Sequence, residues 1–417
     1  MSAEARSVRR PLRLPASAAI ARRVLFAALE QMSEGALELR FPDGVRRRFG
    51  SEDCDAIVVE ILDERWFGRL ALSGKLGPGE GYMAGEWRTS DLVGLFELIA
   101  RNAEHVFDGS VLGPLARAAR ALPRLPRLPS LRRSERDVQA HYDLGNEFFE
   151  LFLDDSLTYS AGIFDRPGMS LADAQQAKFA RLCNHLRLGP EHHLLEIGSG
   201  WGAMAIHAAR ERGCRVTTVT ISRAQHALAT RRVHEAGLAE RVEVRYLDYR
   251  LVQGRFDRVV SIEMIEAIGH RQFPTYFAAI DRVLARDGVA AIQAILIPDQ
   301  RYHSYRRSRD WIRKHIFPGG LLPSLTVLAE AMTRSSRLTI HAVDEIGPHY
   351  AETLRRWREN FLANRERVRA LGFDEPFLRK WEYYLAFCEA AFRTHALRDV
   401  QLVLTRPMNG SLARLPG

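Results

Sequence analysis

Cysteine is scarce in this chain: four among 417 residues, at Cys54, Cys183, Cys214 and Cys388. They are too few and too scattered for a disulfide framework or a zinc cluster, so no metal site is expected and a reducing cytosol fits. Long apolar runs are missing too, and none approaches the roughly 20 residues that span a bilayer. The arginine-rich start (Arg6, Arg9, Arg10, Arg13) lacks the apolar core of a secretory signal and reads as a disordered basic tail over residues 1–20. Acidic residues are in deficit, 51 against 60 Lys and Arg, for a net charge of +9. Such an excess attracts polyanions, either nucleic acid or anionic lipid headgroups, and charge alone does not choose between them. A solvated arginine-rich surface is the plain alternative. The 46% hydrophobic and 27% charged content is ordinary for a globular protein. The length allows a large core and two domains.

Residues 21–120 read as a small mixed α/β domain. Leu37–Phe41 alternates like a strand and Pro42-Asp43-Gly44 turns toward a second. Ala56–Leu62 is a compact apolar run, and Asp91–Arg101 has helical amphipathicity. Between them, Gly74–Trp87 holds so many glycines beside Tyr82 and Trp87 that a shaped turn is expected. Proline then falls at every third position (Pro123, Pro126, Pro129) among Arg117, Arg120, Arg124, Arg127, Arg132 and Arg133. This spacing disfavours helix and predicts an extended basic linker over 121–134. From 135 to 417 the pattern is β–α alternation. Strands are expected at His193–Ile197, Val216–Thr220, Val242–Tyr246, Arg258–Ile262 and Ala290–Ile297, with closing strands at Leu338–Val343 and Val400–Leu404. Helices are expected at Arg223–Glu235, at Arg271–Ala285 and in a long region ending near Thr394. Such alternation implies a mostly parallel sheet covered on both faces.

The richest segment is Leu194–Gly202, in which an apolar run enters Gly198-Ser199-Gly200-Trp201-Gly202 and a helix-compatible stretch follows. Strand, glycine turn and helix make a nucleotide-sized site at the strand ends. The dinucleotide fingerprint would need its third glycine one residue later and an acid ending the next strand, where Thr220-Ile221-Ser222 stands. Pyrophosphate also favours a bare helix N-terminus, whereas this turn carries Trp201. S-adenosylmethionine, which has no phosphate, fits better. A tight βα turn with no ligand remains the third reading.

Six further segments give the chain a specific likeness. They are His141–Phe149, Leu157–Phe164, Leu247–Arg250, Ile265–His270, Ile316–Gly320 and Gly347–Tyr350. In this order, over about 135–405, they resemble the cyclopropane-fatty-acyl-phospholipid synthase family, and Leu76–Met83 looks like the N-terminal domain of its longer bacterial members. The resemblance implies a Rossmann-like class I methyltransferase domain with a seven-stranded, mostly parallel sheet and lipid-binding insertions. It implies transfer of the S-adenosylmethionine methyl to a cis double bond of a phospholipid acyl chain, with ring closure assisted by bound bicarbonate. Tyr159, Ser160, Gly198, Gly200, Trp201, Gly202, Thr220, Gln225, Asp248 and Tyr249 fall where the family contacts the cofactor.

Glu266 and Tyr350 match the acid and the tyrosine of the family's bicarbonate site, with backbone N–H groups at Ala161 and Ile295. Glu266 would share a proton with the anion, because two adjacent negative charges resist joint ionisation. Two departures weaken that site: Ala161 stands where better-known members have cysteine, and Gln293 where they have histidine. Methyl transfer is therefore expected more firmly than ring closure, with a methylene- or methyl-branched chain as the sister outcome. Cys388 matches a family cysteine treated as catalytic, but no step needs a thiolate and Glu389 would raise its pKa, so a structural role is expected. Residues 301–335 interleave Tyr302, Tyr305, Trp311 and Phe317 with Arg301, Arg306, Arg307, Arg309, Arg313 and Lys314. This composition suits a lid over an acyl tunnel that meets phosphate headgroups.

The expected partners are unsaturated phospholipid acyl chains and an anionic membrane surface at the cytoplasmic face, with a homodimer as the oligomeric candidate and no nucleic acid. A nucleic-acid or small-molecule methyltransferase, and an inactive lipid-binding protein, are the competing classes.

Overall fold

The computed structural model describes residues 16–103, 144–308 and 310–412. The expected linker at 121–134, the segment His141–Asp143 and Arg309 lie outside them. So does the expected basic tail except for residues 16–20, which begin a helix.

The chain divides into two compact units, and the first takes Asp374–Tyr383 from late in the sequence. This first unit holds α1 (Ala16–Leu29), β1 (Ala36–Arg40), β2 (Arg46–Gly50), β3 (Ile57–Ile61), α2 (Arg65–Ser73), α3 (Gly77–Met83), β4 (Trp87–Thr89) and α4 (Leu92–Arg101). Its sheet runs β2-β1-β3-β4, with β1 and β3 parallel and both outer pairs antiparallel. Asp91 is the cap of α4, not its first residue: its carboxylate accepts the Gly94 N–H at 2.8 Å. The glycine-rich segment is not the expected turn. A 3-10 turn at Gly74–Leu76 leads into α3, whose first turn accommodates Pro78. Gly81 is required by close packing, since a Cβ there would lie 2.4 Å from the Trp66 ring.

The second unit holds α5 (Asn146–Glu150), α6 (Leu171–His185), β5 (His193–Ile197), α7 (Ala203–Arg212), β6 (Arg215–Thr220), α8 (Arg223–Glu235), β7 (Val242–Tyr246), β8 (Phe256–Ile262), α9 (Phe273–Val283) and β9 (Leu284–Leu296). It continues with α10 (Asp299–Arg307), α11 (Trp311–His315), α12 (Leu325–Ser335), β10 (Thr339–Glu345), α13 (Gly347–Ala363), α14 (Arg365–Ala370), the end of α15 (Glu375–Arg393) and β11 (Arg398–Thr405). Its seven strands run β10-β11-β9-β8-β5-β6-β7, parallel except where β11 pairs with β10 and β9. This is the seven-stranded, mostly parallel α/β sheet that the resemblance implied. The central strands are buried on both faces, as a covered parallel sheet requires. Leu195, Ile197 and Val259 pack into one core, and Leu194, Val216 and Val260 into the other. β9 begins at Leu284, six residues earlier than expected, because α9 passes directly into it after Val283.

Register positions the chemistry. Gln293 of β9 pairs with Ile262, the last residue of β8, and with Gln401 of β11, while Asp399 pairs with Ile295. Polar side chains from three strands thereby meet at one end of the sheet. Helix α6 borders this region and starts with a capping box: Ser170 Oγ accepts the Asp173 N–H at 3.0 Å, and Asp173 reaches back to Ser170. Ser170→Ala should lower stability by about 1 kcal/mol. Urea unfolding would register this as a lower midpoint at unchanged slope, and an unchanged midpoint would mean that packing alone fixes the start of α6.

Candidate active site

β5 ends in the glycine turn, and the backbone there has φ of +94° at Gly198, +48° at Gly200 and +90° at Gly202. These left-handed angles are accessible to glycine at little cost. At Gly200 a Cβ would meet open space, whereas at Gly202 it would lie 3.2 Å from the Ala229 methyl of α8. The turn forms one wall of a cleft. Tyr159, Ser160, Gly198, Gly200, Trp201, Thr220, Gln225, Asp248 and Tyr249 all line it. Of the expected cofactor residues only Gly202 does not, and its role is to let α7 and α8 approach each other.

Neighbouring contacts fix the lining. Trp201 is buried, donates its ring N–H to Asn146 at 2.8 Å and lies 5.1 Å from the Phe149 ring. Thr220 donates its hydroxyl to Gln225 Oε1 at 2.9 Å. The Asp248 carboxylate is held by Arg250 through Nε at 2.8 Å and Nη2 at 2.6 Å. Tyr159 lies between Phe149 and Trp357, with its hydroxyl 2.9 Å from that of Tyr384. The wall also offers Glu196 Oε2, the Tyr249 hydroxyl and Gln272 Oε1, buried polar atoms that lack a partner within the protein. Burial pushes the Glu196 carboxyl up to about 8. Open space at a glycine turn, a polar floor and a lining cation, Arg250, that is tied to the Asp248 carboxylate suit the adenosine and amino-acid ends of S-adenosylmethionine.

Below the cleft lies a cluster of carboxyls that the sequence reading only partly anticipated. Glu263, immediately after β8, lines the cleft. Its Oε1 accepts the Ala161 N–H at 2.9 Å and the Gln293 amide at 2.8 Å, and its Oε2 accepts the Tyr350 hydroxyl at 2.8 Å. Glu263 has φ +47°, a strained angle for a residue with a side chain. Glu266 accepts the Ile295 N–H at 2.5 Å, and its second oxygen is buried without a partner. Asp399 is fully buried and accepts the other Gln293 N–H at 3.2 Å. Gln401 donates to Gln293 Oε1 at 3.0 Å, which orients that amide with its NH2 toward both acids.

Ala161, Gln293, Ile295 and Tyr350 thus converge as expected, but on protein carboxyls. Burial and the Glu263 charge raise Glu266 to about 8, and the same causes raise Asp399 well above the usual carboxylate range. Glu263 is also raised by burial, but the Ala161 N–H, Lys178, Tyr350 and Gln293 favour its charged form. Three adjacent buried acids cannot all ionise, and the charge belongs on Glu263, which holds the most donors. Bicarbonate does not fit here, because Glu263 and Glu266 take the Ala161 and Ile295 N–H groups expected to hold it and the Glu263 charge would repel it. Cys388 is no thiolate, since burial and the Asp310 carboxyl hold its thiol well above the ordinary range.

The segment 301–335 folds as α10, α11 and α12, and its Leu321 N–H is given to the Glu266 carbonyl at 2.8 Å. Arg313 is not available to a headgroup, because it ties the Gly320 and Ser308 carbonyls at 2.8 and 2.7 Å. Glu263 was missed although Glu263-Met264-Ile265-Glu266 places two acids where β8 opens into the cleft. An acid at the carboxyl end of a central parallel strand was the available signal.

Gly200→Val would direct two methyl groups into the cleft. The left-handed backbone adds strain of roughly 1–2 kcal/mol, which leaves a domain of this size folded. S-adenosylmethionine binding should be lost by calorimetry while the thermal transition persists. Retained affinity would mean that the cofactor sits elsewhere.

Comparison with known proteins agrees with this geometry. The model of the mycolic acid cyclopropane synthetase family matches residues 129–402. A tuberculostearic acid methyltransferase of Mycobacterium tuberculosis is 39% identical over 94% of this chain and 92% of its own length. The cyclopropane-fatty-acyl-phospholipid synthase of Escherichia coli is 33% identical, over 87% of this chain and 91% of its own. A solved mycolic acid cyclopropane synthase complexed with SAH and CTAB superposes with a TM-score of 0.61 at 30% identity, covering 65% of this chain and 98% of that one. With its glycine turn, its cleft and its match over the whole second unit's sheet, the chain belongs to the mycolic acid cyclopropane synthetase family and is an S-adenosylmethionine-dependent methyltransferase.

Proposed function

We propose that this protein methylates a carbon of a cis double bond in an unsaturated phospholipid acyl chain, giving a methylene-branched chain, and that Glu263 is the base. The observation that carries the reading is the Glu263 carboxylate, held by Ala161, Gln293 and Tyr350 in the seat expected for an anion. When bound, S-adenosylmethionine supplies an electrophilic methyl group on a sulfonium. An alkene is a weak nucleophile, so the protein must exclude water and align the π bond with that methyl group. Tyr159, which lines the cleft and is backed by Trp357 and Phe317, serves both needs. Once the new carbon–carbon bond forms, the acyl chain carries a cation on the neighbouring carbon. A hydride shift then moves the positive charge to the methyl-bearing carbon. Glu263 takes a proton from the methyl group, and the C–H electrons form the exocyclic double bond. Tyr350, with its phenol held far above its ordinary pKa by burial and by the Glu263 charge, stays a donor throughout.

Ring closure is the second reading, supported by the synthases among the relatives. It too gives a methyl proton to Glu263, but without the hydride shift. The branched product is preferred because the relative that spans 94% of this chain is named for methyl transfer. NMR of the extracted esters separates vinylidene from cyclopropane protons.

The remaining assignments belong to the same reading. Tyr159, Ser160, Gly198, Gly200, Trp201, Thr220, Gln225, Asp248 and Tyr249 would hold the cofactor, and Glu266 would stay a neutral acid beside the base. Among the described residues no helix is long and apolar enough to cross a membrane. The +9 charge supports peripheral attachment to anionic lipid at the cytoplasmic face.

Two outcomes test these claims. Stripping carbonate from the buffer should leave turnover unchanged, while Glu263→Gln should lower it by about 10²–10⁴-fold. Glu263→Gly, which also relieves the positive φ, should regain activity when bicarbonate is added, because the vacated donors then accept an anion. A wild type that slows on carbonate removal would sink the built-in base. Separately, turnover on vesicles should rise with anionic lipid and fall as salt shortens the Debye length to roughly 3 Å at 1 M. Equal turnover on neutral vesicles at every salt concentration would remove the electrostatic attachment.

A further inference from the structure

Helix α6 carries Leu171, Ala174, Gln175, Lys178, Phe179 and Leu182 among its buried residues. Lys178 is fully buried on this otherwise largely apolar face. Burying an ammonium is expensive unless it is paired and hydrogen-bonded. Its Nζ donates to Ser160 Oγ at 2.6 Å, and the adjacent Gln175 amide donates to the Ser160 carbonyl at 2.9 Å. The next residue is Ala161, whose N–H holds Glu263. Helix α6 therefore grips the very segment that holds the base.

The acidic groups facing Lys178 come from four places: Glu263 after β8, Asp399 on β11, Glu196 on β5 and Asp154 in the loop after α5. Around Glu263 stand Asp399, Glu266, the Tyr350 phenol of α13 and Lys178, with Tyr384 of α15 beyond Tyr350. All except Lys178 are acids or phenols. Without that cation, the Glu263 carboxylate would keep its three hydrogen-bond donors but no opposing charge against the cost of its burial, and would take up a proton more readily.

We propose that Lys178 is a positioning residue for the methyl-transfer reaction: its ammonium keeps the buried Glu263 ionised and, through Ser160, fixes the Ala161 N–H on that carboxylate. The proposal rests on Glu263 being the base. Lys178 itself is pulled down to about 8 by burial, with the Glu263 carboxylate foremost in opposing the shift. Its charge is therefore present at neutral pH and fades above that value, when Glu263 loses its counter-charge.

The test is the pH profile of kcat/KM on unsaturated phospholipid vesicles. In Lys178→Met the acid limb should move upward by about one pH unit or more, and turnover at neutral pH should fall by about tenfold or more. A merely structural lysine would lower activity at every pH and leave the limb in place, which would overturn the proposal. Glu263→Gln separates the two claims. If that variant keeps wild-type turnover, the base reading fails. If it is inactive while Lys178→Met leaves the limb unmoved, only the role of Lys178 fails. Should Lys178→Met not fold, the double variant Lys178→Met with Glu263→Gln decides. Recovery of folded protein supports the pairing, because no carboxylate is left uncompensated at position 263. A double variant that is equally unfolded overturns it.

Discussion

A carboxylate half-buried in a cleft wall must be met by donors, and Glu263 draws its three from positions 102, 30 and 87 residues away. Each comes from a different element: the segment before α6, strand β9 and helix α13. Loss of any one would leave a charged oxygen under-satisfied at a cost of about 1–3 kcal/mol or more. The sheet, the α6 layer and the α13 layer are therefore bound into one arrangement by a single side chain. Its strained φ of +47° is sustained by that same set of contacts.

Much of the second unit was legible in the sequence because its strands are buried on both faces and its turns are marked by glycine. His193–Ile197 falls where its apolar run placed it, Val242–Tyr246 falls at the expected bounds, and Arg223–Glu235 is helical from its Ser222 cap onward. Boundaries slipped where no breaker separates elements, as at Val283–Leu284, where a helix becomes a strand without an intervening turn. The segment Gly74–Trp87 misled for the opposite reason. Gly81 serves close contact with Trp66 inside a helix, and glycine content alone does not distinguish contact from turning.

The site was legible as a set of positions but not as a chemistry. Ala161, Gln293, Ile295 and Tyr350 do converge, but the backbone N–H groups expected to hold an anion donate to Glu263 and Glu266. What occupies the space between them could not be read locally, because Glu263 reaches its partners through strand register. Gln293 lies opposite both Ile262 and Gln401, and that pairing emerges only when β8, β9 and β11 align. Lys178 carried a sharper signal, a lone cation among the apolar positions of an amphipathic helix.

The backbone at Glu263 has an implication for ancestry. Its left-handed angle is one that glycine adopts freely, and glutamate and glycine codons differ by a single nucleotide. On the reading proposed above, one point mutation would thus exchange an attached base for an empty anion seat, with the scaffold of donors untouched. A tethered base and a borrowed one would then be immediate genetic neighbours on this backbone, separated by a change that relieves strain instead of adding it.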